Sequence, residues 1–205
     1  MRVAVCVSGG GRSLSNLIKR QSMRPFEISL VVSSGADIGA NKIAMAAGLP
    51  VFVENFSGKN QLSAKGALYR ELKRHKIDVV VLAGFLKLFP VDSSWTGKII
   101  NIHPALLPKF GGKGMFGLNV HNAVIAAGEA VSGATVHFVS ERYDEGAVIA
   151  QTLVDIPQGD SPDSLAKRVF DAECDLLPWV LSEMASGALP QQNNIAIFSK
   201  AGELE

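Results

Sequence analysis

Across its first hundred residues the chain alternates short apolar runs, rich in β-branched residues, with longer amphipathic stretches. This alternation restricts the fold more than any other feature. The run "RVAVCVS" (2–8) is apolar on both faces, as a strand covered from both sides must be. A glycine run follows, then "RSLSNLIKRQ", whose Leu14, Leu17 and Ile18 fall on one side of a helix. The pattern repeats as strand "EISLVVSS" (27–34), helix "IGANKIAMAAG" closed by Gly48, and strand "PVFVE". Helix "NQLSAKGALYRELKRH" turns Ala64, Leu68 and Leu72 inward, and the strands "IDVVVLAGF" and "GKIINIH" complete this half. The expectation is an α/β protein with an open, mostly parallel, Rossmann-like sheet and helices on both faces.

The second half changes character. "GATVHFV" (133–139) and "GAVIAQTLVDI" (146–156) read as strands joined by "SERYDE", an antiparallel addition to the parallel sheet. "DSPDSLAKRVFDAECDLLPWVLSEMASG" reads as a long helix: Ser161 caps it, Pro162 suits its first turn, Gly187 ends it and Pro178 should kink it. Between these elements "KFGGKGMFGLNVH" reads as a loop, and the tail, 188–205, is weakly patterned.

A length of 205 residues allows one or at most two domains, and 47% hydrophobic residues supply a sizeable core. A net charge of +1 argues against a nucleic-acid surface. Cys6 and Cys174 are the only cysteines and form no CxxC pair, so neither a disulfide scaffold nor a thiolate metal site is expected. "MRVAVCVSGG" does not resemble a signal peptide, and no apolar run approaches the roughly 20 residues that span a bilayer. The expectation is a cytoplasmic protein without a metal and without nucleic-acid or membrane partners, as a monomer or homodimer.

Chemistry-bearing residues gather in a few places. Ser8 to Gly11 join a buried strand to a helix, where free N–H groups suit an anion. The spacing is neither GxGxxG nor GxxxxGK[ST], so phosphate binding and a plain tight turn stay equally open, with Arg12 tilting towards an anion. In "IINIHP", alternation puts Asn101 and His103 on one strand face at the carboxyl end, where α/β sheets bind ligands, and Pro104 keeps His103 extended. A lone histidine there is more often a satisfied core group. Paired with an amide and followed by a glycine-rich loop, it suits acyl-type transfer: imidazole moves a proton and the amide steadies an oxyanion. Asp144, in the "SERYDEG" turn, is either ordinary turn chemistry or the carboxylate that orients His103. Thr135 and His137 share a strand face, where a core or supporting role outweighs catalysis. Glu173 falls on the apolar stripe of Leu165, Val169, Leu176 and Val180, so it needs a ligand or a partner such as Arg168.

With these residues in view, the chain resembles the folate-dependent phosphoribosylglycinamide formyltransferases of purine synthesis. The matching stretches are "VAVCVSGGGRSL", "VVVLAGFLKLF", "INIHPALLPKF", "GATVHFVSERYDEGAVIAQ" and "RVFDAECDLLP", in family order over nearly the whole chain. The resemblance implies a formyltransferase fold in one domain over 1–205: a phosphate-binding half (1–100), a catalytic and folate-binding half (101–187), and the tail. It implies formyl transfer from 10-formyltetrahydrofolate, as co-substrate, to the amine of glycinamide ribonucleotide. Asn101, His103 and Asp144 match the catalytic trio, with protonated His103 and Asn101 steadying the tetrahedral oxygen. Gly9, Gly10, Gly11, Arg12, Ser13, Leu14 and Ser15 match the phosphate loop, and Glu173 a ribonucleotide contact. Leu86, Lys87, Leu88 and Phe89, together with Val139, Ser140, Glu141, Arg142 and Tyr143, match the pterin pocket, Asn101 contacts the folate as well, and Lys65 matches a further folate position. Pro108 matches a proline held in cis. Three departures stand out: "GGGRSL" for the usual Gly-x-Gly-Ser-Asn, Lys65 for an arginine, and the extended segment 110–117.

Rival relatives share the Asn-x-His-Pro core. A methionyl-tRNA formyltransferase is expected to need a further C-terminal domain and a basic surplus, and a 10-formyltetrahydrofolate hydrolase an N-terminal regulatory domain. A catalytically silent folate- or nucleotide-binding protein would not need all three trio residues.

Overall fold

The computed structural model of the chain describes residues 1–56, 61–188 and 196–198. Val3, Val5 and Val7 of Arg2–Val7 (β1) point to one face and Ala4 and Cys6 to the other, all of them buried, and β1 lies accordingly inside a parallel ladder, between Glu27–Ser33 (β2) and Val79–Leu82 (β4). Val51–Val53 (β3) adds to β2, also parallel, and Val80 N–H donates to the Lys98 carbonyl just before Ile99–His103 (β5). Helices supply the cover. Arg12–Arg20 (α1) buries Leu14 and Leu17, Gly39–Ala46 (α2) packs on β2 and β3, and Gln61–Arg74 (α3) buries Ala64, Leu68 and Leu72 as their spacing requires. Each such leucine contributes about 1.5–3 kcal/mol of apolar burial. The strand expected over 77–85 is shorter, because the chain turns at Gly84 with φ 72°.

Contacts divide the chain into two compact units, Met1–Ile100 and Asn101–Glu205. In the second, Val131–Phe138 (β6) pairs antiparallel with Val148–Asp155 (β7), as the sequence predicts, and Ala196–Ile197 (β8) runs parallel to β7. The mostly parallel sheet with an antiparallel addition is therefore present. Pro162–Ser186 (α5) packs on β6 and β7. Ser161 Oγ accepts from Ser164 N–H at its start, Gly187 closes it at φ 74°, and the helix continues through Pro178.

Two elements escape the sequence reading. Leu118–Ala126 (α4) occupies the end of a segment expected to be loop, and β8 lies in the tail. Helix α4 has no side-chain cap and no acidic residue in its first turn, and glycines precede it, so the usual start markers are missing. Of the tail, 189–195 and 199–205 lie outside the described residues, as does Asn60 at the expected start of α3. Among the described residues no helix is long and apolar enough to cross a membrane.

Candidate active site

At the end of β5, alternation carries Asn101 and His103 to the same side, and the turn after β6 brings Asp144 to them. His103 Nδ1 stands 3.5 Å from Asp144 Oδ2, and Asn101 Nδ2 is 3.3 Å from Asp144 Oδ1. The same amide nitrogen donates to His137 Nε2 at 3.0 Å. His103 and His137 are buried, with 3% and 2% of their surface exposed, so every polar atom there needs a partner.

The partners fix the protons. A carbonyl cannot donate, so His137 Nδ1, 2.8 Å from the Phe138 oxygen, carries a hydrogen and its Nε2 is left to accept from Asn101. By the same logic His103 Nε2–H donates to the Phe110 oxygen at 2.8 Å, and Nδ1 faces the carboxylate. Burial pushes the His103 imidazole below its ordinary value, although the Asp144 charge and the Phe110 carbonyl both pull it upward. Burial would raise Asp144, but the neighbouring imidazoles and the Gly112 N–H prevail and hold its carboxyl below the usual range. Burial thus favours the neutral imidazole of His103, and its Nδ1 faces a carboxylate that can stabilise a positive charge formed on the ring.

Thr135 and Gln151 brace the segment after His103. Thr135 Oγ1 donates to the Ala105 oxygen at 2.6 Å and accepts from Leu107 N–H, and Gln151 Nε2 donates to the Leu107 oxygen. The Leu107–Pro108 bond is cis. His137 touches Asn101 and Asp144 directly. His121 on α4, buried and close enough for its charge to feel His103, escaped the sequence reading together with its helix. The Phe110 carbonyl and Gly112 N–H left no side-chain mark in the sequence to find.

The remaining candidates fall into separate places. In the first unit Gly9 and Gly10 are exposed at the start of α1, whose N-terminus no side chain caps; Arg12 is exposed, Ser13 and Ser15 half-buried. The Leu14 side chain is fully buried, so only its backbone can serve a ligand. Gly11 sits at φ 80°, where a Cβ would meet Ala40 Cα at 2.8 Å. Leu86 and Leu88 are exposed, Lys87 is half-buried, and Phe89 is buried against Phe85 rather than open as a pocket wall. Lys65 Nζ donates to the Val91 oxygen and pairs with Asp92, in a cleft of ≈ 730 Å³ that includes Tyr69 and Trp95 but none of the other folate candidates. In the second unit Val139 and Ser140 are half-buried, while Glu141, Arg142 and Tyr143 are exposed beside Asp144. Glu173 is half-buried on α5, and Arg168 pairs with Asp160. Among the described residues no group of three His, Cys, Asp or Glu side chains is arranged to hold a metal.

A buried amide, imidazole and carboxylate at a strand end can steady an oxyanion and carry a proton, the requirements of acyl transfer. Comparison with known proteins points the same way. The chain is 40% identical over 180 residues to the chloroplastic phosphoribosylglycinamide formyltransferase of Arabidopsis thaliana, an alignment covering 84% of this chain and 61% of that protein. It thus spans about three-fifths of the length of the plant relatives it matches. The phosphoribosylglycinamide formyltransferase of Anaplasma phagocytophilum has a similar structure, with TM-score 0.80 and 32% identity over 100% of this chain and 93% of that one. Glycinamide ribonucleotide transformylase 1 of Symbiobacterium toebii gives TM-score 0.84 and 30% identity, over 94% and 91%. Residues 1–181 match the model of the formyl transferase family, and it is to this family that the chain belongs.

Proposed function

We propose that the protein transfers the formyl group of 10-formyltetrahydrofolate to the primary amine of glycinamide ribonucleotide, releasing tetrahydrofolate and the N-formyl product. The single observation that carries this reading is the buried meeting of Asn101, His103 and Asp144, in a chain whose relatives bear that activity in their names. The amine attacks the formyl carbon, and the carbonyl oxygen gains negative charge. Both amide hydrogens of Asn101 are engaged at rest; its 3.3 Å contact with Asp144 is the weaker one, and an incoming oxyanion takes that place. The attacking nitrogen, now an ammonium, gives its proton to His103 Nδ1, and the adjacent carboxylate stabilises the imidazolium formed. That proton leaves with the folate nitrogen when the tetrahedral centre collapses. Exposed Gly9 and Gly10, with the uncapped start of α1, take the substrate phosphate. In the second unit, the 139–143 turn beside Asp144 takes the folate.

The test supplies 10-formyltetrahydrofolate with and without glycinamide ribonucleotide and follows folate release. Release that depends on the ribonucleotide is expected. Equal release without it would make the protein a hydrolase, and binding without release a silent folate binder.

A further inference from the structure

Two residues in the segment after the cis proline, Phe110 and Gly112, hold the His103–Asp144 pair through their main chain. The Phe110 oxygen accepts from His103 Nε2 at 2.8 Å, and Gly112 N–H donates to Asp144 Oδ2 at 2.9 Å, the oxygen that faces His103 Nδ1. Reaching both partners takes unusual backbone, with φ 56° at Phe110 and 99° at Gly112. Gly111, between them, is not in the left-handed region, so its torsions would admit an alanine. Space would not. A Cβ at Gly111 would stand 2.6 Å from Leu107 Cδ2 and 3.1 Å from Asp144 Cβ. Asp144 is itself held at φ 57° in its turn, which limits where it can retreat.

We propose that Gly111 is a positioning residue: its missing side chain lets the Phe110–Gly112 backbone close on the imidazole and the carboxylate together, and so sets the distance between them. This deepens the formyl-transfer reading and rests on it for the kinetic part of its test only. The charged and titratable groups facing His103 are Asp144 from the β6–β7 turn, His137 on β6 and His121 on α4.

The substitution to make is Gly111→Ala, in the full chain. Misplacing the pair by a few tenths of an ångström should lower kcat about tenfold, less than the ~100-fold of a full ångström. KM for either substrate should stay within about twofold, since no substrate contact is removed. Imidazole NMR, with His103 assigned by comparison with His103→Gln, should show its titration midpoint moving to lower pH. The ring stays buried while the two acceptors that favour its charged form recede. A merely loosened loop would admit water and move that midpoint up. An unchanged kcat, a change confined to KM, or a midpoint that stays or rises would each overturn the proposal. Adding Leu107→Val removes the other crowded methyl, and full recovery of kcat would assign the effect to Leu107 and end the proposal. If Gly111→Ala does not fold, the wild-type ring decides: its neutral form must carry hydrogen on Nε2, and a hydrogen on Nδ1 instead would overturn the clamp. Failure of the formyl-transfer reading shows in the wild-type assay and leaves the NMR outcomes intact.

Discussion

Two glycine-rich loops follow strands in this protein, and they use glycine for opposite ends. At 9–11 the first two glycines open onto free space: a Cβ on Gly9 or Gly10 would meet nothing within 4 Å, and only Gly11 is pressed, against α2. At 110–112 the backbone is turned inward, and a side chain at Gly111 would strike Leu107 and Asp144. The first loop leaves donors and room for something outside the protein. The second spends its bare backbone on residues of the protein itself. Glycine content alone marks both as loops; what each loop faces separates binding from positioning.

The largest effect expected bears on the inward loop. His103→Ala removes the group that Phe110 and Asp144 hold, and should lower kcat by about a thousandfold, within the range for a lost acid–base group. A cooperative melt must persist for that loss to be chemical, and activity within tenfold of wild type would show the clamp holds nothing that reacts. Asp144→Asn keeps the shape and an oxygen for Gly112 N–H but removes the charge, so a loss on the order of a hundredfold in kcat should follow. Steady-state kinetics with unchanged KM would place the loss in the chemical step, whereas a change in KM alone would move Asp144 to substrate binding.

The open loop should respond differently. Gly11→Ala forces a side chain into φ 80° and onto Ala40, and should cost about 2 kcal/mol in denaturant unfolding. Gly10→Ala meets no such obstacle, so its stability should stay within about 0.5 kcal/mol while KM for the phosphorylated substrate rises. An unchanged KM in that variant would erase the contrast between the loops. The smallest effect is a slope. His103 and His121 are held below their ordinary 6.5 chiefly by burial, so the unfolded chain binds more protons than the native one as pH falls below that value. Stability should therefore decline between pH 6.5 and the native midpoints. A further decline should begin below the ordinary carboxylate value of 3.8, as Asp144 and Asp160, both held low, take up protons. Urea unfolding across pH tests the sign, and the upper slope should be shallower in His103→Gln. Stability rising on acidification through pH 6 would contradict the buried, neutral histidine.

Much of the fold was legible because its periods are local. Short uninterrupted apolar runs gave β1, β2 and β4, and the i, i+4 spacing of Ala64, Leu68 and Leu72 gave the buried face of α3. Ser161, Pro162 and Gly187 marked both ends of α5. Helix α4 was not legible, since Gly117 offers it no side-chain cap, and β8, two residues long, is too short for any period.

By itself the sequence determined that Asn101 and His103 share a face, because alternation along a strand is a property of the backbone, and that Pro104 keeps the exit extended. It also supplied Asp144 in a turn, with no means of saying where that turn would lie. Tertiary structure decided the rest. Asp144 meets the pair across more than forty residues of chain, at φ 57°. A carbonyl at Phe110 and an N–H at Gly112 complete the arrangement. Every residue but proline carries both of those groups, so no residue type announces them, and only the folded path of the chain can aim them.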